Sequence, residues 1–319
     1  MAEKKKILVT LPVKEAHKSV LAESLRGGEG MYELVYTGGA APAPEELRDA
    51  YIILGPLTPE LAKYAGQCAW LQLSFAGADA FQVPGALPKE TVLTNAVGAY
   101  GLTVSEHMLA QTFAMLRRFG EYGRNQAAHV WKHMGEVASV EGATTAVLGL
   151  GDIGGSYARK MKALGAYVIG LRKSDREKPD YVDEQYTIDR LDEVLPRADI
   201  VAMVLPGGSE TYHLMDAARI ARMKPGACLL NVGRGGAVEL PALRKALEEG
   251  RLRGAALDVT EPEPLPPEDP LWDLPNVILT PHAAGHLFLP ETLNRIVRIM
   301  GENLRRWVAG EPLRNVVER

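Results

Sequence analysis

A chain of 319 residues exceeds one average domain, so two are expected. It is 46% hydrophobic and 24% charged with a formal net charge of −4, enough to build two cores and without the basic excess that draws a protein to nucleic acid or to an anionic membrane. The apolar start Ile7-Leu8-Val9 stops at Pro12 and Lys14, too short for a signal peptide, and no run reaches the ~18 residues of a membrane span. Cys68 and Cys228 sit far apart in apolar stretches, which reads as two buried thiols of a cytoplasmic protein.

In chain order, short apolar runs alternate with helical patterns, the signature of a parallel α/β architecture. Ile7-Leu8-Val9, Leu34-Val35-Tyr36, Tyr51 to Leu54, Leu71-Gln72-Leu73 and Val92-Leu93 read as strands, with helical segments near Ser19 to Leu25, Pro44 to Asp49 and Pro59 to Ala65. One long helix is expected from Thr103 to Phe119, with Val104, Met108, Leu109, Thr112, Phe113 and Leu116 as its apolar positions. Gly120 and Gly123 then break the pattern, and Tyr122 to Val140 reads as an irregular arm that packs on a partner subunit, which implies a homodimer. Six further strands follow at Ala146 to Leu148, Tyr167 to Ile169, Ile200 to Val204, Cys228 to Leu230, Ala255 to Leu257 and Val277 to Leu279. The five prolines between Glu261 and Pro270 demand an extended loop, and a last amphipathic helix follows Pro290.

The second series opens on Gly149-Leu150-Gly151-Asp152-Ile153-Gly154, directly after a strand and into a helix with Tyr157, Ala158 and Met161 on one face. In that setting Gly149 allows a tight turn, Gly151 lets a pyrophosphate approach the backbone, and Gly154 permits close packing of helix on strand, with the helix N-terminus facing the phosphates. A dinucleotide-binding Rossmann domain is therefore expected. An acid at the end of the next strand would bind a ribose 2′-hydroxyl. Here that turn is Arg172-Lys173-Ser174, which suits a 2′-phosphate and predicts NADP(H) over NAD(H).

Three further residues each stand just beyond a predicted strand: Arg234 in Asn-Val-Gly-Arg-Gly-Gly, Glu263 in Glu-Pro-Glu-Pro and His282 in Thr-Pro-His-Ala-Ala-Gly. A guanidinium holds a carboxylate in two contacts, and an imidazole moves protons near its ordinary pKa of ~6.5. A carboxylate beside an imidazole holds its tautomer and favours its charged form. Beside a nicotinamide, that set suits interconversion of a 2-keto acid and a 2-hydroxy acid. The order glycine loop, Arg, Glu, His over most of the chain resembles the D-2-hydroxyacid dehydrogenase family.

The resemblance implies two doubly wound parallel-sheet domains: a Rossmann coenzyme domain over residues 99–286 and a flavodoxin-like, discontinuous substrate domain from residues 1–98 and 287–319. It makes Arg234, Glu263 and His282 catalytic, with Glu261 a nearby decoy, and places Asp258 near the nicotinamide carboxamide. Leu205, Pro206, Thr211, Val232, Gly233 and Gly285 complete the expected coenzyme contacts. Ala76 and Gly77, in Ser74-Phe75-Ala76-Gly77-Ala78-Asp79, would offer backbone N–H groups to the substrate carboxylate, while Tyr100 is left with either substrate contact or packing. His286 reads as a pocket or surface histidine, and no His/Cys cluster has metal-ligand spacing, so no metal is expected. Leu205-Pro206-Gly207-Gly208 departs from the family's usual Leu-Pro-Thr-Pro at this loop, and the chain ends too soon after its last helix for the regulatory domain of many phosphoglycerate dehydrogenases. The implied activity is a glyoxylate- or hydroxypyruvate-type 2-keto acid reductase. The alternatives are the phosphite and formate dehydrogenase branches, the latter disfavoured by Glu263, and a coenzyme-binding corepressor-like sensor.

Overall fold

The apolar runs become the inner strands of two parallel sheets, because a strand covered on both faces can be hydrophobic at every position. The computed structural model describes residues 4–319 and divides into two units: the chain up to Tyr100 together with Leu287–Arg319, and Gly101–His286. The first unit runs β1 (Lys5–Val9), α1 (Glu15–Glu23), β2 (Tyr32–Tyr36), α2 (Pro44–Arg48), β3 (Ala50–Leu54), α3 (Pro59–Ala62), β4 (Trp70–Gln72) and β5 (Val92–Thr94). Among the described residues these strands form a five-stranded parallel sheet in the order β2-β1-β3-β4-β5, the doubly wound order of flavodoxin-like folds. Ile7, Leu8, Val9, Ile52, Ile53 and Leu54 are fully buried in its centre. Helix α1 starts earlier than its apolar pattern suggests. It has no Ser, Thr or Asp cap, and instead the His17 ring accepts from the Lys14 backbone N–H at 3.2 Å.

The second unit runs α4 (Gly101–Leu116), α5 (Phe119–Ala127), β6 (Thr144–Leu148), α6 (Asp152–Ala163), β7 (Tyr167–Arg172), β8 (Glu184–Thr187), α7 (Leu191–Val194), β9 (Ile200–Met203), α8 (Ala217–Arg222), β10 (Cys228–Asn231), α9 (Leu240–Glu248), β11 (Gly254–Leu257) and β12 (Val277–Leu279). Its seven-stranded parallel sheet has the order β12-β11-β10-β9-β6-β7-β8, with the reversal of strand order between β6 and β9. That is the Rossmann arrangement, and ligands of such sheets sit beyond the carboxyl ends of the strands near the reversal.

Two elements differ from the sequence-based expectation. Strand β8, Glu-Gln-Tyr-Thr, adds a seventh strand; it lies at the sheet edge, is nowhere fully buried, and has no apolar run to announce it. The long helix stops at Leu116 because Arg118 takes a left-handed conformation with φ 62°, and Gly120 and Gly123, expected to break helical structure, lie inside α5. Residues 130–139 after α5 carry no regular structure, and Trp131 is fully exposed there.

The last helix, α10 (Pro290–Ala309), belongs to the first unit, burying Leu293, Ile296, Val297, Met300 and Leu304. It approaches α1 so closely that a Cβ on Gly301 would stand 2.7 Å from Ser24 Oγ. Trp307 stacks on the fully buried Trp70 with ring centroids 5.5 Å apart, while Trp70 Nε1 donates to Thr94 Oγ1 at 2.8 Å. Both cysteines are buried, and burial pushes each thiol up to about 12, out of the reactive range. Among the described residues no helix is long and apolar enough to cross a membrane. Because Trp70 joins β4, β5 and α10, Trp70→Ala is expected to cost about 3–5 kcal/mol of stability. Urea unfolding measures this, and a loss under about 1 kcal/mol would contradict the role given to the stack.

Candidate active site

All the loops singled out in the second unit leave the same edge of its sheet. Parallel strands end their carboxyl termini together, so the glycine loop after β6, Leu205 after β9, Arg234 after β10, Glu263 after β11 and His282 after β12 emerge side by side. Neighbouring strands are about 4.8 Å apart, so the last three leave from strands within roughly 10 Å of one another.

In the glycine loop, Gly149 has φ 98°, and a Cβ there would lie 2.6 Å from the Val204 carbonyl oxygen. A Cβ on Gly154 would stand 1.8 Å from the Gly149 carbonyl oxygen, so helix α6 can lie against the turn only with glycine there. Gly151 is the N-cap of α6, and a Cβ on it would meet nothing within 4 Å. Open space in front of a helix N-terminus is where a pyrophosphate fits. Asp152 begins the helix with its side chain turned elsewhere: its carboxylate accepts from Gly101 N at 2.7 Å and so caps α4.

Beyond β7, Arg172 and Ser174 line a cavity of about 350 Å³ with Gln185, Thr187 and Arg190. Lys173 is not among them. Successive residues of an extended chain point to opposite sides, and the Lys173 ammonium pairs with Glu210 at 2.5 Å on the surface. Arg190, which the sequence reading missed, brings a second guanidinium, stacked over Tyr186 and paired with Glu193. Asp175 and Asp189 line the same cavity. On the facing loop, Thr211 Oγ1 donates to the Pro206 carbonyl at 2.8 Å and closes the glycine-containing turn.

The Arg234 loop is shaped by its glycines. A Cβ on Gly233 would lie 2.6 Å from Leu205 O, and one on Gly235 would lie 1.9 Å from Thr260 O. Both neighbours are backbone and cannot swing away, so the loop sits wedged between the turns that follow β9 and β11. Arg234 itself donates to the Gly233 carbonyl at 2.8 Å, and Asn231 Nδ2 holds the Arg234 carbonyl at 2.8 Å. Val232 N donates to Met203 O at 3.1 Å and keeps the start of the loop in register with β9.

Of the two glutamates in Glu261-Pro262-Glu263-Pro264, Glu263 meets His282: its Oε1 lies 2.7 Å from Nδ1, and both side chains are about half exposed. Glu261 turns instead to His213, 3.9 Å away. His282 has φ 51°, a left-handed conformation that few residues other than glycine adopt. Asp258 holds it there. The Asp258 carbonyl accepts from His282 N at 2.8 Å, and its carboxylate, 2% exposed, accepts from Ala283 N at 2.8 Å, Ala284 N at 3.1 Å and Thr280 Oγ1 at 2.6 Å. Asp258 was expected beside a nicotinamide; the contacts its carboxylate makes here are to the histidine turn. Ala284 is buried, Gly285 half-buried and His286 exposed.

In the first unit, the carbonyls of Ser74, Phe75 and Ala76 are engaged: Ser74 O by Tyr100 Oη at 2.7 Å, Phe75 O by Ala96 N at 3.0 Å and Ala76 O by Asn95 Nδ2 at 2.9 Å. In a planar trans peptide the N–H opposes the preceding carbonyl, so the amides of Ala76 and Gly77 point away from these partners. Tyr100 is buried, which pushes its hydroxyl up to about 12, and it braces the loop. Of the two roles considered for it, this hydrogen bond is a packing contact. Among the described residues no group of His, Cys, Asp and Glu could hold a metal ion.

Residues 109–284 match the model of the D-isomer specific 2-hydroxyacid dehydrogenase, NAD binding domain. The chain belongs to the D-isomer specific 2-hydroxyacid dehydrogenase family. A glyoxylate reductase of Korarchaeum cryptofilum is 33% identical over 279 residues, covering 84% of this chain and 81% of that protein. Among solved structures, a family protein from Aeromonas salmonicida superposes with a TM-score of 0.84 at 30% identity, covering 99% of both chains. An NADPH-dependent glyoxylate/hydroxypyruvate reductase from Sinorhizobium meliloti, solved with NADP and sulfate, superposes with a TM-score of 0.80 at 28% identity, covering 99% of this chain and 98% of that one.

Proposed function

We propose that this dehydrogenase works as a reductase of small 2-keto acids of the glyoxylate and hydroxypyruvate kind, with NADPH as the preferred coenzyme. The Glu263–His282 hydrogen bond, at the same sheet edge as the Arg234 loop, carries this reading. When bound along Gly149 to Gly154, NADPH would supply the hydride needed at substrate C2. His282 supplies the proton: with Glu263 on Nδ1, the charged ring presents Nε2–H to the keto oxygen and is left neutral. Arg234 grips the substrate carboxylate and orients the carbonyl. The first unit is assigned the rest of the substrate, through the amides of Ala76 and Gly77, and the second unit the coenzyme, along Gly149 to Gly154.

His282→Ala should abolish turnover of glyoxylate and hydroxypyruvate while leaving NADPH affinity, read by fluorescence titration, within about twofold. Retained turnover would remove His282 from the chemistry.

The coenzyme preference rests on the turn after β7, which has Arg172 where an acid would bind a 2′-hydroxyl, and on Arg190 beside it. A 2′-phosphate suits two guanidinium groups and Ser174. NADPH should exceed NADH in kcat/KM, and Arg172→Ala should erase about tenfold of that ratio, equivalent to about 1.4 kcal/mol. An NADH preference above tenfold would sink the assignment.

Residues 122–140 are assigned to self-association. They expose Val130, Trp131 and Val137, and clustered exposed apolar side chains mark interaction surfaces. Light scattering should find a dimer, with Trp131→Glu shifting it to monomer; an already monomeric wild type would refute this.

A further inference from the structure

We propose that His107 is a positioning residue for His282, acting through Thr280 and Asp258; the proposal rests on the reading of His282 given above. His107 and Gln111 stand four residues apart on α4 and so share one face. Both reach the hydroxyl of Thr280, His107 Nε2 at 3.2 Å and Gln111 Nε2 at 3.3 Å. The same hydroxyl lies 2.6 Å from Asp258 Oδ1.

Donors and acceptors then assign themselves. An ionised carboxylate only accepts, so Thr280 gives its single proton to Asp258 and has two lone pairs left. Those lone pairs take the Gln111 amide and the His107 ring, which requires a proton on His107 Nε2. That nitrogen also lies 3.7 Å from Asp258 Oδ1. The other donors on this buried carboxylate are the backbone amides of Ala283 and Ala284, the two residues after His282. Asp258 is therefore the joint between helix α4 and the turn that keeps His282 at φ 51°. Thr280 and His282 flank Pro281, so the turn is held at both ends, by its amides on one side and its threonine on the other. Without the His107 donor, the Thr280 hydroxyl loses one of the contacts that fix its direction. It can then rotate off Asp258, and the histidine turn loses that restraint.

The test compares His107→Ala, His107→Gln, Thr280→Val and the double variant His107→Ala/Thr280→Val by kcat, KM, NADPH affinity and melting temperature. His107→Ala should lower kcat on the order of tenfold, since small displacements of a reacting group have effects of that size, while KM and coenzyme affinity stay within about twofold. His107→Gln keeps a side-chain N–H and should recover most of the loss. Because His107 acts through Thr280, the double variant should lose no more than Thr280→Val alone. A wild-type kcat in His107→Ala, an equal loss in His107→Gln, or additive losses in the double variant would each overturn the proposal. His282→Ala, measured alongside, separates the two levels. If it is inactive while His107→Ala is unaffected, only the positioning role falls; if it remains active, the reading of His282 falls and takes this one with it.

Discussion

The second unit depends on one constraint: a parallel sheet releases every strand at the same edge. Antiparallel pairing of any one of β6, β9, β10, β11 or β12 would carry its functional loop to the opposite end. Because all of these pairings are parallel, residues as far apart in sequence as Gly149 and His282 leave strands of one sheet in the same direction. Catalytic geometry is thereby reduced to local problems, since each loop has only to turn its side chain toward a shared space.

The glycines solve part of that local problem by letting backbone meet backbone. Gly154 on Gly149, Gly233 on Leu205 and Gly235 on Thr260 are contacts in which a methyl group would overlap a main-chain atom. Main chain cannot move aside as a long side chain can, so these positions tie each loop to its neighbour. Arg234 is placed in this way between two glycines that touch different loops. Its side-chain hydrogen bond to the Gly233 carbonyl, at 2.8 Å, adds to that placement.

What was legible in the sequence follows from the same physics. Inner strands such as Ile200–Met203 are covered on both faces and therefore appear as unbroken apolar runs. The edge strand Glu184–Thr187 is not covered, so nothing in its composition marks it. Motif residues stood out because glycine and proline punctuate the loops that carry them. Contacts made by side chains from remote elements left no such mark. Nothing local says that Lys173 turns away to Glu210 while Arg172 and Ser174 line a cavity joined by Arg190, or that Tyr100 braces Ser74. The break at Arg118 was equally hidden, because a left-handed arginine has no sequence cue, whereas Gly120 and Gly123 suggested a break and supplied none.

His282 shows how such a hidden contact bears on chemistry. A left-handed conformation for a residue other than glycine is unfavourable by about 1–3 kcal/mol and persists only where its surroundings over-determine it. Here one buried residue gathers most of those contacts: Asp258 receives His282 N on its carbonyl and Ala283 N, Ala284 N and the Thr280 hydroxyl on its carboxylate. A buried ionised carboxylate would itself be costly without donors, and the histidine turn provides them. Each therefore stabilises the other: the strained turn satisfies the buried charge, and the charge holds the strain. With the backbone pinned from below by Asp258, the exposed imidazole has its remaining freedom in its own torsions, and Glu263 on Nδ1 restricts those. Two carboxylates thus divide the work by environment, the buried one holding the main chain and the half-exposed one holding the ring.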